Sequence, residues 1–117
     1  YDLRAEARAC AAAHAGSPDP PGPAELVRLI TLEGARALGM GGIVGALAPG
    51  LRADLVAVRP PPGADPGAEP HALLLDPAAR VAEVVVDGET LLADGVPTRV
   101  DAAAIEADAD ERRVRLW

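Results

Sequence analysis

The sequence predicts an α/β fold in which helices come first, a small antiparallel sheet follows, and a helix ends the chain. Three observations support this order. The Ala-rich residues 2–14 combine helical propensity with an apolar stripe. A short apolar run over 54–58 follows the tight turn Pro49-Gly50. Residues 81–92 contain two apolar runs separated by Asp87-Gly88, which is typical of a β-hairpin.

Two helices are predicted in the first third of the chain. The first covers residues 2–14, and the second begins near Pro23, a residue suited to a first helical turn, and ends at Gly39. Gly34 lies inside the second helix, where glycine costs about 1 kcal/mol relative to alanine. We therefore expect a close neighbour that leaves no room for a side chain there. The predicted apolar face of this helix consists of Leu26, Val27, Ile30, Ala37 and Leu38.

The sheet is predicted over residues 54–92. The run 54–58 begins at Asp54 and is otherwise apolar, as expected for a strand covered on both faces. We expect this strand to share a sheet with the hairpin. A Pro-rich loop over 59–70 separates the two, and residues 72–75 form either a short strand or a helical turn. The hairpin turn predicts the pairs Val86–Glu89 and Val84–Leu91.

The last part of the chain is predicted to be helical. A second turn at Asp94-Gly95 ends the hairpin, and Asp101 is suited to cap the N-terminus of a helix. Acidic residues come early in this helix, and the basic residues come late, which matches the helix dipole. We expect a solvated face of ion pairs that includes Arg112, Arg113 and Arg115.

Composition narrows the class of protein. The 117 residues suffice for one small domain, but the apolar half is Ala, Leu and Val, with no Phe. The net charge of −7 argues against nucleic acid or anionic lipid as a partner, and no apolar run is long enough to cross a membrane. The single Cys10 fits a reducing cytoplasm. Because the sequence begins at Tyr1 without Met, we expect it to be part of a longer protein.

Three motifs follow one another in a characteristic order. The stretch 31–39 reads Thr-x-x-Gly-Ala-x-x-Leu-Gly, the stretch 45–56 reads Gly-x-Leu-x-Pro-Gly-x-x-Ala-Asp-Leu-Val, and the stretch 81–88 reads Val-x-x-Val-x-Val-x-Gly. Together they resemble the C-terminal end of the amidohydrolase superfamily, in the branch of the triazine chlorohydrolases and the cytosine and guanine deaminases. The resemblance covers most of residues 2–115. One departure is Leu51, where the family often carries lysine.

The resemblance implies a fold and an activity. Residues 1–42 would be the last helices of a (β/α)8 barrel, 43–98 the C-terminal strands of a composite β-sandwich, and 99–117 a helix that packs back on the barrel. The parent protein would be a cytoplasmic, metal-dependent hydrolase acting on non-peptide C–N bonds, of deaminase or amidohydrolase type. Its zinc or iron would be bound by residues outside this segment. The implied partners are the N-terminal remainder, a small-molecule substrate and, as an option, further copies of the chain.

No catalytic, cofactor-binding or metal-binding residue is predicted within the 117 residues. His14 and His71, the only histidines, are 57 positions apart, so the family's histidine cluster does not fit here. Tyr1 and Asp2 would lie nearest the barrel mouth, and Asp2 is either a helix-start residue, which the motif favours, or a metal ligand. The other candidates have structural interpretations: backbone acceptor for Asp54, dipole partner for His14, surface residue for His71, and small core residue rather than nucleophile for Cys10.

A second class of function stays open. The segment is alternatively a structural or interaction module with no chemistry of its own. The residues themselves do not indicate a substrate, because the specificity of the resembling family lies in barrel loops that are absent from this sequence.

Overall fold

The computed structural model describes the backbone of residues 2–115 and the side chains of residues 2–113. Its first helix, α1, spans Leu3–His14 and begins at Asp2, whose Oδ1 accepts a hydrogen bond from the Arg4 amide at 3.0 Å. This confirms both the predicted helix and the helix-start role of Asp2. Ala7 of α1 is buried against Leu26 and Leu75, and these three residues form the core cluster of the helical layer.

The second helix is continuous over residues 23–37 but is not α-helical throughout. It consists of α2 (Pro23–Arg28), a π-helical turn (Leu29–Glu33) and α3 (Gly34–Ala37). The hydroxyl of Thr31 donates to the carbonyl oxygen of Val27 at 2.7 Å, inside this irregular region. A hydroxyl bond of this kind competes with the helical ladder and often bends a helix.

The π turn corrects the predicted apolar face. Leu26 is buried as expected, but Leu38 is 78% exposed and Ala37 is also exposed, while Ala35 is buried. A π turn inserts one extra residue, so the buried face continues five residues after Ile30 instead of four. The π turn thus explains the burial of Ala35, whereas Leu38, three residues later on the same side of the helix, is exposed because no described residue covers it. The left-handed Gly39, with φ of 73°, follows the helix end as predicted.

Four antiparallel strands form one sheet in the order β1-β2-β3-β4. They are β1 (Leu55–Arg59), β2 (Arg80–Val86), β3 (Glu89–Ala93) and β4 (Val96–Pro97). Because β1 pairs with β2, the prediction that the hairpin shares a sheet with the 54–58 strand is confirmed.

The hairpin register is partly as predicted. Val86 pairs with Glu89, but Val84 pairs with Leu92 rather than with Leu91. The register shifts between Val84 and Val85, which leaves Leu91 as the extra residue of a bulge. A turn dipeptide specifies the first pairs next to it, whereas a bulge further along depends on the packing of the sheet.

Strand β1 differs from its prediction. A strand covered on both faces was expected, yet Leu55, Val56 and Ala57 are all exposed in the described chain. Because successive side chains of a strand point to opposite faces, the exposure of three consecutive residues means that neither face of β1 is covered there by the described residues. The opposite edge strand, β4, has two residues and ends at Pro97.

Two further helices complete the structure. Residues 72–75, left open between strand and helix by the sequence, belong to α4 (Pro70–Leu75), where the Glu69 side chain accepts from the Ala72 amide. The last helix, α5 (Ala102–Arg115), begins after Asp101, whose carboxylate accepts from the Ala104 amide at 3.0 Å, as predicted. Arg112 pairs with Asp108 and Arg113 with Asp110 on its exposed surface. Among the described helices, none is long and apolar enough to cross a membrane.

The Asp87-Gly88 turn makes the hairpin testable. Asp87 and Gly88 have φ of 52° and 83°, the positive values that a type I′ turn requires at both central residues. We expect Gly88→Val to lower the free energy of unfolding by about 1–2 kcal/mol, because a β-branched residue is strained in the left-handed region. Thermal unfolding measures the effect. Gly16→Val is the control, since nothing lies within 4 Å of a Cβ at Gly16. Equal melting temperatures for the two variants would contradict this account of the turn.

Candidate functional site

An open groove of about 1400 Å³ lies between the helices and the sheet. Its walls come from α1, the π turn, the loop over 43–54, and strands β1 and β2. Most of the lining side chains are aliphatic. The polar residues that reach the groove are Asp2, Arg4, Thr31, Asp54 and His71.

The 31–39 and 45–56 motifs meet at the floor of this groove. A Cβ on Gly45 would lie only 2.7 Å from the Ala35 Cβ and 3.2 Å from the Thr31 carbonyl oxygen. Gly45 also has φ of 98°, so only glycine fits without strain. A Cβ on Gly34 would lie 3.3 Å from the Leu29 carbonyl oxygen, which belongs to the π turn of the same helix, so the contact is tight but does not come from a second segment. It is Gly45 that allows the loop and the helix to pack closely.

Asp54 connects the start of β1 to the tip of the hairpin. Its Oδ1 accepts a hydrogen bond from the Asp87 amide at 2.7 Å, and the Gly88 amide donates to the Ala53 carbonyl at 3.0 Å. Asp54 therefore accepts a hydrogen bond from a backbone amide, as the sequence analysis predicts. Its partner, however, lies 33 residues away in the hairpin turn, not in the turn that leads into β1. The sequence offers no local signal for this pairing.

Two arginines of α1 bind the end of α4 and the segment that leads from α4 into β2. Arg4 donates to the carbonyl oxygens of Leu74 at 3.2 Å and of Ala79 at 3.3 Å, and Arg8 donates to that of Leu75 at 3.2 Å. Sequence reasoning missed this cluster. The only available signal is the spacing of two arginines four residues apart, which places both on one face of the helix.

Asp2 lies beside both arginines, with its carboxylate oxygens 3.8 Å from Nε of Arg4 and 3.7 Å from a terminal nitrogen of Arg8. Desolvation raises the pKa of Asp2, but the amides of Arg4 and Ala5 and the two guanidinium groups outweigh it, and the pKa lies below its ordinary value. The carboxylate is therefore charged at neutral pH, where it caps α1 and pairs with the guanidinium groups of Arg4 and Arg8.

The two histidines belong to different helices, His14 to α1 and His71 to α4, and His14 lies beside Cys10, with its Nδ1 3.8 Å from Sγ. His71 pairs with Glu69 at the start of α4, and this hydrogen bond, the largest contribution, lowers the pKa of Glu69. His14 lies in the last turn of α1, with Nδ1 2.9 Å from the Cys10 carbonyl oxygen, in keeping with a dipole partner. Cys10 is half-buried and packs against the core cluster, as expected of a small core residue.

No three His, Cys, Asp or Glu side chains of residues 2–113 come together in a way that could hold a metal ion. Catalytic zinc sites use three protein ligands. The described residues therefore do not fit a resident zinc or iron centre. The placement of such a centre outside this segment stays a prediction.

The sequence of this chain matches a known protein family. The amidohydrolase family model matches residues 4–91. This chain belongs to the amidohydrolase family. The match includes all three motifs: the two that meet at the floor of the groove and the one in the hairpin. It ends at Leu91, inside β3.

Several solved structures are similar to this chain in both sequence and fold. An adenosine deaminase from Xanthomonas campestris with bound zinc is 33% identical, with a TM-score of 0.83, over 97% of this chain and 27% of its own. A mutant atrazine chlorohydrolase from Arthrobacter aurescens TC1, complexed with zinc and atraton, is 27% identical, with a TM-score of 0.77, over 92% and 25%. A triazine hydrolase variant is 29% identical, with a TM-score of 0.73, over 94% and 25%. No curated protein matches. The chain thus spans about a quarter of the length of these structures.

The role of Asp54 can be tested by substitution. We expect Asp54→Ala to lower the free energy of unfolding by about 1 kcal/mol, because the Asp87 amide loses its acceptor. Asp54→Asn keeps an acceptor oxygen and should lose less. Chemical denaturation of both variants measures the difference, with Asp19→Ala, in an exposed loop, as the control. Equal free energies of unfolding for Asp54→Ala and Asp19→Ala would show that the hydrogen bond to the hairpin turn does not stabilise the fold.

The metal prediction concerns residues 1–117 expressed alone. We expect no tightly held zinc or iron after dialysis, because the described side chains form no group of three ligands. Elemental analysis of the dialysed protein measures the metal content per chain. One equivalent of retained zinc or iron would show that this segment does contain a metal centre.

Proposed function

We propose that residues 1–117 are the C-terminal portion of a metal-dependent hydrolase that acts on non-peptide C–N bonds, by deamination or by amide-type hydrolysis. The observation that carries the proposal is the amidohydrolase match over 4–91, together with the 33% identity to an adenosine deaminase across 97% of this chain. The neighbours that cover this chain are hydrolytic enzymes about four times its length, so the parent is proposed to be an enzyme of similar extent.

Within that parent, we assign residues 1–42 to the last helices of a (β/α)8 barrel and 43–98 to the C-terminal strands of a composite β-sandwich. Residues 99–117 would form the helix that returns to the barrel. The element order supports this division, since α1 to α3 precede residue 38, all four strands lie within 55–97, and α5 follows. Tyr1, which lies outside the described residues, and Asp2 would be nearest the barrel mouth.

The segment's own contribution would be structural. Asp2, Asp54 and His14 all interact with backbone groups, and His71 pairs with Glu69. The catalytic residues and the metal, zinc or iron, would belong to the remainder of a cytoplasmic enzyme. The bound zinc in the adenosine deaminase and the chlorohydrolase supports a metal-dependent parent and favours zinc.

The test uses the full-length gene product. We expect ammonia release from at least one member of a panel of amino-substituted heterocycles and amides, with zinc or iron supplied. Chelation should abolish the activity, and the metal should restore it. The full-length Asp54→Asn variant is the control: it should keep its activity if Asp54 is structural. A full-length protein that binds no metal and hydrolyses nothing on the panel would contradict the enzyme and favour the interaction module.

A further inference from the structure

Three charged side chains form a cluster on the exposed surface of the irregular helix. One carboxylate oxygen of Glu33, Oε1, lies 2.7 Å from a terminal nitrogen of Arg28, 2.8 Å from the Nε of Arg28 and 2.9 Å from a terminal nitrogen of Arg36. The hydrogen bond from Arg28, the largest contribution, lowers the pKa of Glu33 below its ordinary value, so the carboxylate is charged at neutral pH. The three side chains are at least 38% exposed, and none of them lines the groove.

The two ion pairs of Glu33 depend differently on the type of helix. Glu33 and Arg36 are three residues apart, a spacing that makes side chains neighbours on an ordinary α-helix. Arg28 and Glu33 are five residues apart, which in an α-helix would place them about 140° from each other around the axis. In a π-helical turn, each amide bonds to the carbonyl five residues earlier, so residues with this spacing lie on the same side. The π turn therefore brings Arg28 and Glu33 together.

Gly34 also fits the π-helical register better than the α-helical one. Its amide donates to the carbonyl oxygen of Leu29, five residues earlier, and a Cβ on Gly34 would lie 3.3 Å from that same oxygen. An alanine at this position would be crowded in the π turn. In an α-helix, by contrast, alanine is more favourable than glycine by a factor of about five in the equilibrium constant.

The register of this turn decides which residue the helix presents to the loop that contains Gly45. A Cβ on Gly45 would lie 2.7 Å from the Ala35 Cβ and 3.1 Å from the Leu32 Cα. An α-helical turn would place Gly34, four residues after Ile30, in the position that Ala35 now occupies, and would rotate Ala35 away by about 100°. The close contact between Ala35 and Gly45 therefore requires the π register.

We propose that the Arg28–Glu33 ion pair stabilises the π register of the turn Leu29–Glu33 against an α-helical alternative, and that this register positions the loop containing Gly45 on the groove floor. Breaking the ion pair shifts the turn toward the α register and loosens the loop. A charge interaction on the exposed surface thus controls packing in the groove. The inference concerns the helix and the loop alone and does not require the proposed enzymatic activity.

The first experiment is hydrogen exchange, measured by mass spectrometry on the full-length protein and on its Arg28→Gln and Arg36→Gln variants. Each variant removes one ion pair of Glu33, but only the pair with Arg28 depends on the register. The reporters are the amides of Val44 and Arg52, which donate to the carbonyl oxygens of Met40 and Ile43 within the loop.

Peptides covering residues 40–52 should exchange about two to five times faster in Arg28→Gln than in the unmodified protein, the factor that an exposed ion pair contributes. Arg36→Gln should leave their exchange close to that of the unmodified protein. Equal rates in the two variants, or faster exchange spread evenly over the whole chain, would overturn the proposal.

The second experiment is the crystal structure of the full-length Arg28→Gln/Gly34→Ala double variant, since both substitutions favour the α register. The Leu29 carbonyl should accept from the amide of residue 33 instead of residue 34, and Ala35 should no longer face Gly45. Arg36→Gln, the control, should keep the π turn. A double variant that keeps the π turn would contradict the proposal. If the double variant does not fold or crystallise, the exchange rates of the two single variants decide.

Discussion

Hydrogen bonds from two arginines of α1 to backbone carbonyl oxygens hold together a structure whose described residues bury few large apolar side chains. The buried hydrophobic residues among those described are Ala7, Leu26, Ala35, Leu75 and Ala79, three of them alanines. Small side chains contribute little hydrophobic stabilisation. The arginines of α1 add hydrogen bonds to the end of α4 and to the segment that leads into β2. Arg4 alone bonds to the carbonyls of Leu74 and Ala79, on both sides of the connection between α4 and β2.

The residues that identify the family in this chain act on backbone atoms. Thr31 donates to a helix carbonyl in the π turn, Gly45 lies against Thr31 and Ala35, and Asp54 receives the amide of the hairpin turn. Each of these contacts controls how closely two chain segments approach. In the described structure, these motif residues therefore fix the geometry of the backbone.

The two halves of the groove are built differently, and this difference matters for how the segment contributes to a larger protein. The helical wall contains the π turn, and its Leu29 and Leu38 are exposed where Ala35 is buried. The sheet wall contains two register shifts and, among the described strands, ends in an open edge at β1. A surface with both features leaves part of its core incomplete, so the stability of the segment is tied to the chain around it.

The sequence by itself determined the features that depend on neighbouring residues. The helix starts at Asp2 and Asp101 follow from carboxylates that reach amides two or three residues away, and the Asp87-Gly88 turn follows from its need for positive φ. The order of the three motifs likewise identifies the family. None of these requires knowledge of contacts between distant parts of the chain.

Only the tertiary structure decided the features that depend on distant contacts. The π turn, which moves the buried position to Ala35, coincides with the close approach of Gly45, which the helical period does not include. The partner of Asp54 lies 33 residues away, and the bulge at Leu91 depends on how the strands pack together. The exposure of Val56 depends on which segments pack on the faces of the sheet, and among the described residues none covers it. Burial and register are set by which segments meet in space, and the local sequence pattern does not contain that information.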